Sequence, residues 1–166
     1  MTQYTQKKIE VNVPSHKIWN ILADYNSVEK YATGIKSSSK IGDIDSGLGA
    51  KRLCTFQNGS SLVEEIVDFQ DKSGYRMKLS EHSLPLKSMN SEIQVREIDE
   101  NRSEIFMACD FEVKMGPLGW LMGYFMMRPL MKSTFKTLMT GLAYHTVTGK
   151  CIDKKLPSKQ ILQESI

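Results

Sequence analysis

From Ile35 to Val113 the sequence places turn residues every ten or so positions, and few folds accommodate that rhythm. Ile35 to Ile44 leads into Ser46-Gly47-Leu48-Gly49, and Ala50 to Phe56 leads into Asn58-Gly59. Leu62 to Phe69 turns at Asp71-Lys72-Ser73-Gly74 into Tyr75 to Leu79. Met89 to Ile98 turns at Asp99-Glu100-Asn101 into Glu104 to Val113. Connections this short cannot carry crossover helices. Consecutive strands must therefore be antiparallel neighbours, with one packed face and one wet face.

The two ends supply what covers the packed face. Lys7 to Val13 alternates, with Ile9, Val11 and Val13 on one side, and reads as a further strand. Pro14-Ser15 then starts a helix, Ser15 as its N-cap, with Ile18, Trp19 and Leu22 at helical spacing; a second short helix is expected near Ser27 to Tyr31. Past Pro117 the period changes, and Pro129 fits the first turn of a helix running to about Val147. Met127, Met131, Leu138, Leu142 and His145 share one stripe of it, while Arg128, Lys132 and Lys136 share another. The expected fold is α+β: a curved antiparallel sheet of about seven strands around a long C-terminal helix, with two short helices after the first strand. One domain should span residues 1–149, followed by a loosely held polar tail over 150–166.

With 166 residues, such a domain buries roughly 70% of its unfolded surface and needs no metal or disulfide staple. A net charge of +3, without a run of like charges, argues against a nucleic-acid partner. Cys54, Cys109 and Cys151 are odd in number and widely spaced, as in a reduced cytoplasmic chain, and no apolar run follows the first charges as in a signal peptide. Met115 to Met131 is apolar but broken by Pro117, Pro129 and Arg128, too short for a membrane span. No metal-ligand spacing and no phosphate-binding glycine loop is present, so neither a metal nor a cofactor is expected.

Several stretches carry a family likeness. Ile9-Glu10-Val11-Asn12-Val13-Pro14-Ser15-His16-Lys17-Ile18-Trp19, then Leu22-Ala23-Asp24-Tyr25, the glycine-rich turn before Lys51-Arg52, and Val63-Glu64-Glu65-Ile66-Val67-Asp68-Phe69 follow in one order. In that order the chain resembles the START-related helix-grip superfamily (SRPBCC), in particular its polyketide cyclase/dehydrase-like branch, over roughly residues 4 to 148. The resemblance implies a cavity between sheet and long helix holding a small hydrophobic partner such as a lipid, quinone or polyketide. It implies no single chemistry.

Turn geometry gives expected registers. If Asn58-Gly59 closes a two-residue hairpin, Arg52 faces Glu65 and Cys54 faces Val63. Pairing Phe69 with Tyr75 sets Val67 against Met77 and Glu65 against Leu79; the last hairpin sets Val95 against Ile105, Ile93 against Met107, and Met89 against Phe111. The expected ligand-lining set on the sheet is then Arg52, Cys54, Val63, Glu65, Val67, Tyr75, Met77, Leu79, Met89, Ile93, Met107, Cys109 and Phe111. Met131, Leu138 and Leu142 join it from the helix. A buried Glu65 would need Arg52 as its partner, and the pair would orient a carbonyl or hydroxyl of the guest. Either these residues form a plain core or they line a hollow one; periodicity does not separate the two.

Three functions stay open. A carrier or binder of a hydrophobic molecule fits the lack of any readable catalytic constellation. A cyclase/aromatase or dehydratase would draw a proton shuttle from Glu65, Tyr75 or His145. A protein-binding accessory module would show an exposed apolar patch. The Met-rich segment 115–127 has three readings: a packed helix start, a soft lid, or a loop making transient membrane contact beside Arg128, Lys132 and Lys136.

Overall fold

The structure, a computed structural model, describes residues 2–165. Strand β1 (Thr2–Val11) leads to α1 (Ser15–Ala23) and a 3₁₀ helix (Tyr25–Lys30). Six strands follow: β2 (Ile35–Ile41), β3 (Lys51–Phe56), β4 (Ser61–Gln70), β5 (Gly74–Ser80), β6 (Leu86–Asp99) and β7 (Arg102–Val113). Then come α2 (Gly116–Met122), a π-helical turn (Gly123–Met127), α3 (Arg128–Thr148) and α4 (Lys159–Ser165). Ser15 is the first helical residue rather than the N-cap: Pro14 holds that position, its carbonyl accepting from Lys17 and Ile18 N–H.

All strand pairs are antiparallel, in the order β1-β7-β6-β5-β4-β3-β2. The meander is as expected, with β1 closing back on β7. α3 rests against β1, β7 and α1. It ends at Gly149, whose φ of +67° is the left-handed cap that glycine adopts without Cβ strain, its N–H donating to the His145 carbonyl at 2.8 Å. At Gly141 the helix presses on the 3₁₀ region so closely that a Cβ would lie 2.2 Å from the Tyr31 carbonyl oxygen.

Two local features shift the expected registers. The β3–β4 turn is a three-residue loop, Gln57-Asn58-Gly59, closed by Phe56 N–H to the Ser60 carbonyl at 2.8 Å, with Gly59 at φ +85°. One extra loop residue moves the pairing by one, so Arg52 faces Glu64 and Cys54 faces Leu62. The β4–β5 ladder starts as expected with Phe69 opposite Tyr75, then breaks its register at Val67, so Ile66 faces Met77 and Glu64 faces Leu79. β6 and β7 pair as expected: Val95 with Ile105, Ile93 with Met107, Met89 with Phe111.

The residues after Gly149 are tied down more than their polarity implies. Ile152 is buried, its N–H bonded to the Lys30 carbonyl at 2.7 Å, and α4 lies against α3.

Candidate functional site

Under α3, opposite β3 to β7, lies a cavity of about 510 Å³. Its sheet wall is Cys54, Leu62, Tyr75, Met77, Leu79, Met89, Ile93 and Met107; its helix wall is Met131, Phe135 and Leu138. Val28, Tyr31 and Ala32 close one side. The rim is polar and more exposed: Thr33, Asn58, Ser60, and the β5–β6 loop residues His82 and Ser83. The volume falls within the range of about 300–1,000 Å³ usual for small-molecule sites, and the lining is mostly apolar with adaptable sulfur and aromatic groups.

A charge sits at the deep end. The Arg52 side chain is 3% exposed, and its Nε and Nη2 each lie 2.6 Å from Glu64 Oε2. Its Nη1 donates to the Tyr25 carbonyl, its Nη2 is 3.9 Å from Met77 Sδ, and the guanidinium lies over the Tyr25 ring, 4.1 Å from the centroid. Cys54 Sγ is 3.5 Å from the same Glu64 oxygen. Tyr25 meets Tyr75 edge-on at 5.6 Å. An apolar cavity thus ends in a neutralised ion pair ringed by tyrosines.

The chain matches, over residues 2–145, the model of the family described as polyketide cyclase/dehydrase and lipid transport. It belongs to that family. No curated protein matches the sequence. Solved structures similar to this chain share its helix-grip fold. An uncharacterized protein from Bacillus thuringiensis superposes with a TM-score of 0.69 at 19% identity, covering 84% of this chain and 96% of its own. The protein XoxI from Bacillus cereus gives 0.69 at 20% identity, covering 84% and 92%. Truncated norcoclaurine synthase from Thalictrum flavum gives 0.68 at 16% identity, covering 86% and 91%. At these identities the likeness is one of fold.

Of the lining residues expected from sequence, Arg52, Cys54, Tyr75, Met77, Leu79, Met89, Ile93, Met107, Met131 and Leu138 face the cavity. The three-residue turn and the break at Val67 correct the β4 set. Glu65 points to the outer face, 3.3 Å from Lys51; Val67 is exposed; Val63 is buried but on the face opposite Leu62 and Glu64. Cys109, Phe111 and Leu142 are buried in the core away from the cavity lining. His145 is buried too, its Nδ1 2.8 Å from the Lys150 carbonyl oxygen and its ring 6.5 Å from that of Tyr31. The proposed shuttle of Glu65, Tyr75 and His145 is therefore not assembled: only Tyr75 reaches the cavity. Glu64, Tyr31 and Phe135 line it and were not singled out. Phe135 carried a legible signal, since it lies on the Met131–Leu138 stripe.

Burial governs proton affinity here. It pushes the Cys54 thiol up to about 12, reinforced by Glu64 and opposed by Arg52. It likewise raises Tyr25, Tyr31 and Tyr75, against the pull of Arg52. Burial alone would depress Arg52, but Glu64 and the tyrosines outweigh it and hold the guanidinium charged. A thiol whose folded value lies above its unfolded 9.0 contributes stability that is complete below pH 9 and is lost as the pH climbs toward 12. The urea midpoint should therefore hold steady from neutrality to about pH 9 and fall above it, with Cys54→Val flattening part of the fall. An alkaline limb identical in Cys54→Val would rule out this thiol as a contributor.

Proposed function

We propose that this protein binds and carries a small hydrophobic molecule with one neutral polar head, such as a hydroxyl or carbonyl. The observation behind this reading is the 510 Å³ cavity, apolar along its walls and ending at Arg52–Glu64. Because Glu64 already neutralises Arg52, a second full anion would be buried without a countercharge. A neutral head instead accepts from the Tyr31 and Tyr75 hydroxyls, which burial keeps protonated. At the rim, His82 Nδ1 is buried with no partner and offers one more polar contact.

Native mass spectrometry of freshly purified protein, with extraction of what it retains, should recover an apolar molecule with few ionisable groups. Leu138→Trp, placed on the helix wall, should cut uptake of the uncharged fluorophore N-phenylnaphthylamine at least about tenfold while leaving thermal unfolding near wild type. Uptake equal to wild type would place the probe elsewhere and end this reading.

A cyclase or dehydratase acting on a polyketide chain is the second reading, favoured by Glu64 sharing one cavity with the Tyr31 and Tyr75 donors. Incubating a linear poly-β-ketone thioester with the protein separates the two, because a carrier returns it unchanged in mass and in chromatographic retention, whereas a cyclase or dehydratase changes at least one of them.

A further inference from the structure

We propose that the segment from Lys114 to Lys136 is an interfacial docking surface that seats the protein on an anionic bilayer beside the cavity mouth. This goes beyond cargo binding and does not depend on it.

The segment is packed the wrong way round for a surface helix. Its small residues face the protein: Gly119 and Gly123 are buried, and a Cβ there would lie 1.8 Å from the Lys114 carbonyl oxygen and 2.5 Å from Gln3 Nε2. Gln3 Nε2 also donates to the Trp120 carbonyl at 2.6 Å, clamping the segment to β1. With glycines taking the inner face, the bulky residues turn outward. Leu118 is 66% exposed, Phe125 67% and Met126 67%, with Leu121 and Leu130 also exposed. Trp120 stacks on Tyr124 at 5.5 Å, and Arg128 lies over the Tyr124 ring at 4.9 Å, so the aromatic group is preformed. A contiguous apolar surface of this kind marks an interaction site.

Charge decides the occupant. From Val113 to Ile152 the chain has no Asp or Glu, while Lys114, Arg128, Lys132, Lys136 and Lys150 are all cationic. A second copy would press like charges together, whereas anionic headgroups neutralise them as the apolar side chains enter the acyl boundary. No helix among the described residues is long and apolar enough to cross a membrane, so the segment lies in the interface rather than through it. Its position suits cargo exchange. Lys114 N–H bonds the Pro85 carbonyl at 2.9 Å, joining it to the loop whose His82 and Ser83 form the cavity rim, and Met131 lines the cavity one residue past exposed Leu130.

Flotation with vesicles of phosphatidylcholine, alone or mixed with phosphatidylglycerol, tests this. Wild type should float with the mixed vesicles, more weakly with neutral ones, and less at high salt. Leu118→Asp/Phe125→Asp should lower partitioning at least about tenfold. Lys132→Gln/Lys136→Gln should lower it about fivefold per charge on mixed vesicles only, with N-phenylnaphthylamine uptake unchanged. Wild type that stays unbound to both vesicles overturns the proposal. So does a dimer in sedimentation that Leu118→Asp/Phe125→Asp abolishes without any vesicle binding, which would assign the face to a second copy. Failure of the Leu138→Trp test leaves this result untouched, so the two proposals fall separately.

Discussion

A Glu64→Leu variant will unfold about 3–5 kcal/mol more easily than wild type, and adding Arg52→Met will return most of that loss. The reason is asymmetry in what each substitution leaves behind. Glu64→Leu strands a guanidinium that is 3% exposed, leaving the Tyr25 carbonyl and ring, the Met77 sulfur, the Tyr31 hydroxyl and the Cys54 thiol around it. None of these carries the opposite charge, so the desolvation cost stands uncompensated. Removing both partners replaces an ion pair with apolar groups of similar length in an apolar wall, which is near neutral for folding. Urea unfolding of wild type, both single variants and the double variant gives the coupling directly. Additive single-variant losses would show that the two side chains do not act as a pair. The double variant should also keep its apolar cavity while losing preference for guests with a polar head.

Gly141→Ala should destabilise by about 2 kcal/mol or more, although glycine to alanine inside an unobstructed helix gains about 1 kcal/mol. The new methyl would sit 2.2 Å from the Tyr31 carbonyl oxygen and 3.3 Å from its carbon, both of them backbone. Backbone cannot swing aside as a side chain does, so α3 and the 3₁₀ region must separate. Tyr31 and Ala32 line the cavity on one side of that contact and Leu138 on the other. Thermal unfolding of Gly141→Ala checks the sign. A midpoint at or above wild type would mean that the helix and the Tyr31 backbone are farther apart than described.

Much of the architecture was legible because it depends on long, repeated patterns. Turn residues spaced through Ile35 to Val113 force a meander whatever the side chains, and the change of period after Pro117 marks the one helix able to cover it. The β6–β7 pairing came out as expected because a register break between Glu97 and Asp99 offsets the two-residue turn Glu100-Asn101, after which the alternation from Val95 to Met89 is unbroken. On β4 the same reasoning slipped by one residue. Asn58-Gly59 serves two-residue and three-residue hairpins alike, and glycine in the left-handed region at the third loop position selects the latter. That slip exchanges Glu65 for Glu64 as the buried carboxylate, so the partner of Arg52 was misread although Arg52 itself was found. Periodicity reports which face is apolar and says nothing of how far the opposing layer stands away, so the cavity was expected from the family resemblance alone. In the Met-rich stretch, large residues occur on every side, and only the close approach of Gly119 and Gly123 to Lys114 and Gln3 decides which of them face outward.

The extra residue at Val67 divides β4 into two halves of opposite phase. Even-numbered Leu62, Glu64 and Ile66 point inward before it, and odd-numbered Phe69 points inward after it, meeting Trp19 of α1 at 5.7 Å. The seat for the first helix and the chemistry of the guest chamber are thereby set by separate runs of one strand. Descendants can rewrite position 62, or 64 together with its partner 52, for a new cargo without disturbing the anchor at 69, whereas a one-residue deletion between 64 and 69 would turn one of the two runs inside out.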